Sequence, residues 1–303
     1  MSHAKPSRSI QPNMFVFALA ALLLGGCATF STDGGFKTVK TLAKDRINKD
    51  VIWVRADSDA DTVQTTVKKL LASALSVDDA VQVALLNNRG LQATYAELGI
   101  AEADLVQAGR MTNPHFAYLR TRNGDERKIE WALTFPIIDL LTIPLRKKIE
   151  ARRFEAVKLA VAGRVVEVGI ETRKAYVHAL AAEEQVRYME QVMTAAEASA
   201  ELARRMTRAG NFSRLAHLRE QAFYAEVVTQ HARARHAATA ERERLTRLMG
   251  LYGEDTLFKL PERLPDLPSS LPEIKDLEAP RLPSALTCRP PSGTPRVSPH
   301  RSA

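Results

Sequence analysis

The chain has 303 residues, a formal net charge of +8 and two cysteines. The basic excess lies at the ends. Residues 1–26 contain Lys5 and Arg8, residues 279–303 contain four arginines and no acidic residue, and the remainder carries +2. The charge therefore gives no indication of a nucleic-acid-binding surface, because it is not concentrated in the part of the chain with folding patterns.

Residues 1–26 have the pattern of an export signal peptide. Lys5 and Arg8 precede an apolar run from Met14 to Leu24, which is shorter than the roughly 20 residues of a membrane-spanning helix. The run ends in Leu24-Gly25-Gly26-Cys27, the pattern of a bacterial lipobox.

We therefore predict that Cys27 is acylated and anchors the chain to a membrane surface without spanning it. The alternative is ordinary cleavage beside an incidental cysteine. Ala28, where an aspartate is typical of retention at the inner membrane, favours the outer membrane. An acylated Cys27 leaves Cys288 with no partner for an internal disulfide.

Residues 27–75 form an N-terminal extension with weak signals and no predicted function. The pattern suggests a helix over Lys37–Ile47, a short strand over Val51–Val54 and a helix over Val63–Leu75.

Helices are predicted over 76–109. Ser76 can cap the first helix by accepting a hydrogen bond from the backbone of Asp79. The polar run Asn87-Asn88-Arg89-Gly90 interrupts the helical pattern, which resumes at Leu91.

Residues 114–137 have the alternation of a β-hairpin. Phe116 and Tyr118 alternate with small or polar residues, and so do Trp131, Leu133 and Phe135. Asn123-Gly124 between the two runs is a strong hairpin signal. Strands of this length with aromatic residues suit an outer-membrane sheet, and a small soluble sheet is the alternative.

A single long helix is predicted over 144–209. Pro144 suits its first turn and Gly210 the residue beyond its end. Twelve apolar or small residues form a coiled-coil stripe: Val157, Val161, Val165, Val168, Thr172, Ala175, Ala179, Ala182, Val186, Met189, Val192 and Ala196. At about 1.5 Å per residue the helix would span roughly 99 Å.

A returning helix is predicted over 213–249, capped by Ser213 or Asn211. Its inward side chains are predicted to include Leu215, Leu218, Ala222, Ala225, Val228 and Leu245. Residues 251–275, rich in proline and leucine, read as an extended strip. Residues 276–303 contain prolines and arginines without periodicity and are predicted to be disordered.

Taken together, several stretches resemble the TolC-type outer-membrane efflux proteins over residues 76–275. They are Ala80-Val81-Gln82-Val83-Ala84-Leu85-Leu86-Asn87-Asn88, Ala96-Glu97-Leu98-Gly99-Ile100-Ala101, Gln107-Ala108-Gly109 with Asn113-Pro114, Arg208-Ala209-Gly210-Asn211-Phe212-Ser213 and Arg247-Leu248-Met249-Gly250-Leu251. The expected fold is mainly α: a long antiparallel coiled-coil hairpin with one amphipathic β-hairpin, which is half of a TolC-like protomer.

The resemblance implies a homotrimeric exit duct for small molecules or metal ions, located in the bacterial outer membrane, lipid-anchored and facing the periplasm. It would work with a periplasmic adaptor and an inner-membrane pump. The membrane hairpin would contain Phe116, Tyr118, Trp131, Leu133 and Phe135. The adaptor-docking tip would be formed by Gly210, Asn211, Phe212 and Ser213.

Only the first of the family's two repeats is recognisable, so truncation is expected, with the tail as translation in a wrong frame. Six chains in place of three are the rival possibility. Two other functions stay open: a structural or nonfunctional coiled-coil lipoprotein, and a periplasmic adaptor. No enzyme, cofactor, metal site or nucleic-acid partner is expected, because the seven histidines form no close metal pair and no phosphate loop or nucleophile motif occurs.

Overall fold

The computed structural model describes residues 29–266. It is 72% helix with a two-stranded antiparallel sheet, so the predicted mainly α fold class is confirmed. The signal peptide, Cys27, the last part of the extended strip (267–275) and the tail (276–303) lie outside the described residues.

The elements, in chain order, are α1 (Phe36–Ile47), α2 (Asp57–Leu71), α3 (Val77–Asn87), α4 (Arg89–Ala108), β1 (His115–Asn123), β2 (Glu126–Thr134), α5 (Ile137–Arg208) and α6 (Arg214–Met249), followed by a short 3-10 helix (Gly253–Leu257). They belong to two compact units. One unit contains residues 29–35 and 96–158, and the other contains residues 36–95 and 159–266.

The first unit contains the β-hairpin and the start of α5. The prediction that the long helix begins at Pro144 is wrong: α5 begins at Ile137 and Pro144 lies inside it. Proline cannot donate a backbone hydrogen bond, so it disturbs the local ladder. The carbonyl that loses its helical donor is that of Leu140, four residues before Pro144. One residue earlier, the Thr142 hydroxyl and the Arg146 guanidinium both donate to the carbonyl of Asp139, at 3.0 and 3.1 Å.

The core of the second unit is built on the predicted stripe of α5. None of its twelve residues is exposed, and Val165, Thr172 and Ala179 are fully buried. Near the far end of α5, Met189 and Ala196 pack against Val227 of α6. The small side chains allow the two helices to approach closely, and the stripe is confirmed as the packing surface.

The inward face predicted for the first half of α6 is wrong. Leu215, Leu218, Ala222, Ala225 and Val228 are exposed, whereas Val227 is buried. A second apolar stripe runs along this helix and contains Tyr224, Val227 and Ala234. This second stripe is the one that packs on α5. The exposed stripe is left without a partner within residues 29–266.

The N-terminal extension is held by two glutamines of the neighbouring helices. Gln82 accepts from the backbone N–H of Asp50 and donates to its carbonyl, at 3.2 and 2.8 Å. Gln92 accepts from the N–H of Val54 and donates to the carbonyl of Ile52, at 3.0 and 2.8 Å. The strand predicted over Val51–Val54 is not formed, because side-chain amides take the place of a partner strand.

The segment after α6 differs in part from the predicted extended strip, because it begins with the 3-10 helix Gly253–Leu257. Phe258 is buried, and the Arg242 guanidinium lies 4.3 Å from the centre of its ring and donates to its carbonyl. Arg187 likewise donates to the carbonyl of Glu262. Arginines of α5 and α6 thus hold the chain to residue 262.

Candidate functional site

The β-hairpin has one predominantly apolar face at its base. In the register of the two strands, Phe116 is paired with Leu133 and Tyr118 with Trp131. Side chains of a strand alternate between faces, so these four share one face with Ile129. They are all more than half exposed, from 52% for Leu133 to 73% for Trp131.

The opposite face carries mainly small and polar side chains, together with Leu119, which is 56% exposed. Ala117 is paired with Ala132, and Thr121 with Lys128. Lys128 forms an ion pair with Glu130 on the same face. A sheet with one apolar and one polar face matches a strand pair that separates lipid from a water-filled space. Phe135, the fifth predicted hairpin residue, lies beyond β2 and is 55% exposed.

The turn of the hairpin lies one position later than predicted. Asn123 and Glu126 are the last paired residues, so the two-residue loop is Gly124-Asp125 rather than Asn123-Gly124. Gly124 has a φ of +61°. A positive φ at the first loop position alone is the pattern of a type II′ turn, which favours glycine there.

The predicted tip residues form the reversal between α5 and α6. Gly210 has a φ of +76° and its N–H donates to the carbonyl of Thr207, while the N–H of Asn211 donates to that of Met206. These two bonds form a Schellman motif, which ends α5. Ser213 then caps α6 by accepting from the N–H of Ala216 at 3.1 Å, as predicted. Phe212 is half-buried.

The tip has a basic surface that the sequence analysis did not identify. Residues 201–219 contain five arginines and a single acidic residue, Glu201. Arg204 binds that carboxylate with two bonds of 2.6 Å and Arg205 with one of 2.8 Å. Arg208, Arg214 and Arg219 are exposed and form no ion pair within residues 29–266. Counting charges per element could have revealed this surface.

The two arginines hold the pKa of Glu201 down to about 2, chiefly through the hydrogen bonds from Arg204 and then from Arg205. A lowered folded-state pKa means that the carboxylate contributes its stabilisation above its ordinary value and loses it as the pH falls through about 2. We predict that Arg204→Ala moves the carboxyl titration midpoint of Glu201 upwards. Carbon NMR of glutamate-labelled protein measures it, and an unchanged midpoint would contradict the assigned cause.

The end of α6 is joined to the turn between α3 and α4. Asn87 donates from its amide to the carbonyls of Met249 and Gly250, at 3.1 and 2.8 Å, and Asn88 donates to the carbonyl of Leu248 at 2.8 Å. Asn88 also caps α4, accepting from the N–H of Leu91 at 2.9 Å. We call this group of bonds the asparagine clasp.

Within residues 29–266, no group of three or more His, Cys, Asp or Glu side chains is arranged to hold a metal ion. None of the helices in that part of the chain is long and apolar enough to cross a membrane.

Comparison with solved structures identifies the fold. A membrane protein from Pseudomonas aeruginosa matches with a TM-score of 0.57 and 19% identity, over 70% of this chain and 52% of that chain. CusC, described in terms of folding and transmembrane channel formation, matches with a TM-score of 0.51 and 16% identity, over 64% of this chain and 49% of its own.

The fold is therefore TolC-like, and the chain spans about half the length of the solved structures it matches. No protein-family model matches the chain, and no curated protein matches it in sequence.

Proposed function

We propose that this chain belongs to the TolC-type proteins and supplies part of an outer-membrane exit duct for small molecules or metal ions. The observation that carries the proposal is the register of the hairpin, which places Phe116, Tyr118, Trp131 and Leu133 on one exposed face and mainly small or polar residues, with Leu119 as the exception, on the other. The TolC-like fold supports it.

The hairpin requires further strands around it. The described sheet has two strands, so each has one edge without a partner. Unpaired backbone groups in lipid cost several kcal/mol each. Other chains therefore supply the neighbouring strands, a homotrimer being the assembly that the resemblance implies.

The exposed stripe of α6 is assigned to the same assembly. Leu215 and Leu218 are 61% and 51% exposed, and Ala222 and Ala225 continue the stripe at helical spacing. A stripe of this spacing packs against another helix. The occupant we infer is a helix of a neighbouring chain in the duct.

Cys27 would tether the assembly to lipid through an acyl chain. Palmitate labelling of the wild-type chain that is lost in Cys27→Ser tests this anchor.

Neither of the two alternative functions, a periplasmic adaptor or a structural coiled-coil lipoprotein, is favoured by a specific observation. An adaptor carries β-rich domains on both sides of its helical hairpin, whereas the sheet of residues 29–266 is a single strand pair. A structural lipoprotein does not need a hairpin with an apolar face. We propose no catalytic chemistry for the chain.

Expression in a bacterial strain that lacks its own outer-membrane duct tests the proposal. The expected result is a detergent-resistant oligomer in the outer membrane without restored resistance, because the chain spans about half of the solved structures it matches. Restored resistance to a toxic compound or metal salt would contradict the expected truncation. Lys40→Ala, at an exposed position of α1, controls for expression. A stably expressed, monomeric chain that restores no resistance would show that the proposal is wrong.

The tip is proposed to contact the adaptor. A cysteine at Asn211 should form crosslinks to a cysteine placed in the helical hairpin of an adaptor, in cells that express both. A cysteine at Gly124, in the strand turn, is the matched control and should form none. Crosslinks from position 124 but not from position 211 would reverse the assignment of the two ends.

A further inference from the structure

We propose that the first turns of α5, from Ile137 to Leu145, lie in the lipid of the membrane and not in the aqueous compartment beside it. The inference rests on the proposed function, because it extends the membrane surface of the β-hairpin. It assigns lipid contact to a segment that lies mostly between the predicted hairpin (114–137) and the predicted long helix (144–209).

The segment presents large apolar side chains to its surroundings. Ile138 and Leu141 are 77% and 76% exposed, and Ile137, Leu140 and Leu145 are between 53% and 67% exposed. The exposure is directly continuous with that of Phe135 and Leu133 in the chain. Exposed apolar surface of this extent is unusual in water and marks a contact surface.

The distribution around the helix favours lipid over a single partner helix. A coiled-coil contact needs only a narrow stripe at positions three and four apart. Here Ile137, Ile138, Leu140 and Leu141 are all more than half exposed, and residues at these spacings cover nearly half of the helix circumference. Lipid acyl chains surround a helix and contact a surface of this width, whereas a single partner helix covers only a narrow stripe.

The hairpin alone is too short for the apolar layer. Its apolar face begins at the base with Phe116 and Leu133 and ends at Ile129, because Arg120, Arg122 and Arg127 occupy that face towards the turn. Five strand residues at about 3.3 Å each cover about 16 Å. The apolar band of an outer-membrane sheet is about 25 Å tall. The part of the apolar layer that the hairpin does not span must lie at the base of the hairpin, where the chain continues into α5.

Ionisable residues are rare inside the segment and basic residues mark its end. Between Trp131 and Leu145 the only ionisable side chain is Asp139, which is half-buried and accepts from the Thr112 hydroxyl at 2.6 Å. Immediately afterwards come Arg146, whose guanidinium donates to the carbonyl of Asp139, and the exposed Lys147 and Lys148. Long basic side chains at the end of an apolar segment reach into the phosphate layer. Lys147 and Lys148 therefore match the headgroups of a lipid leaflet.

Single-tryptophan variants in vesicles containing phosphatidylglycerol test the inference. Trp53→Phe leaves Trp131 as the reporter of the hairpin. Trp53→Phe/Trp131→Phe/Ile138→Trp reports on the start of α5, and the same background with Leu141→Trp provides a second position. Ile170→Trp, at a 47% exposed position farther along α5, is the control. Brominated lipids quench a tryptophan that contacts their acyl chains.

We expect the tryptophans at 131, 138 and 141 to lose most of their fluorescence, and the one at 170 to lose none. Bromines high on the acyl chain should quench position 138 more than bromines near the chain end, since an interfacial segment lies about 5–10 Å deep. Quenching at 131 without quenching at 138 and 141 would overturn the inference and leave the proposed function intact. A blue-shifted but unquenched emission at positions 138 and 141 would also overturn the inference, because it would mean that a second copy of the chain covers the start of α5. No quenching at 131 would refute the proposed function itself.

Discussion

Gly250→Ala is expected to lower the free energy of unfolding of the second unit by about 3 kcal/mol or more. Gly250 has a φ of +67°, and a side chain in that region costs about 1–2 kcal/mol. A methyl group would also lie 2.5 Å from the carbonyl oxygen of Asn87, which is backbone and cannot rotate away. The asparagine clasp must then shift, and its partly buried bonds to the end of α6 weaken.

The measurement is urea denaturation followed by the fluorescence of Trp53, in a Trp131→Phe background. Gly210→Ala is the matched control, because Gly210 has a φ of +76° and ends α5 with the same motif, but nothing lies within 4 Å of the added methyl group. It should cost only the penalty of the left-handed backbone, about 1–2 kcal/mol. If the two variants lost the same free energy of unfolding, the contact with Asn87 would contribute nothing to the loss.

Leu133→Arg is expected to impair membrane assembly severely. Leu133 lies on the apolar face, beside the base of the hairpin and paired with Phe116. With the start of α5 in lipid, this position comes close to the middle of the apolar layer, where an arginine costs about 2–4 kcal/mol. The membrane-inserted fraction, measured by extraction of the outer-membrane fraction with alkaline buffer, should fall to a small remainder.

Ala132→Arg is the matched control for this prediction. Ala132 is the neighbouring residue and lies on the opposite face, paired with Ala117. If that face borders water, the guanidinium stays solvated and assembly continues. If Ala132→Arg impaired assembly and Leu133→Arg did not, the assignment of the two faces would have to be exchanged.

Periodic patterns account for most of what the sequence predicted correctly. The α5 stripe from Val157 to Ala196 repeats over many turns, so packing reinforces the same choice each time. The caps at Ser76 and Ser213 are local, because each hydroxyl accepts from a backbone N–H three residues away. Local and repeated signals are readable without knowledge of the fold.

The errors arise where two local signals compete or where distant residues decide. Pro144 is an ordinary start signal, but a long helix also accommodates a proline near its beginning, and α5 begins earlier, at Ile137. On α6 two apolar stripes compete, and only the contact of Val227 with Met189 and Ala196 decides between them.

The same limit applies to the bonds of Gln82 and Gln92 with the extension, which join residues 32 to 40 positions apart. No spacing rule connects such residues. The arginine surface at the tip was missed for a different reason, because its five arginines within residues 201–219 are hidden in the small net charge of the whole middle of the chain.

The asparagine clasp also has a consequence for the order of folding. It joins residues 160 to 163 positions apart, whereas the reversal at Gly210 joins neighbours. Closing a long loop costs entropy before any contact is gained, so distant contacts form late. Asn87→Ala should therefore accelerate unfolding and leave the refolding rate nearly unchanged in stopped-flow measurements. The helical hairpin closes first from its tip, and the clasp then joins the end of α6 to the turn between α3 and α4.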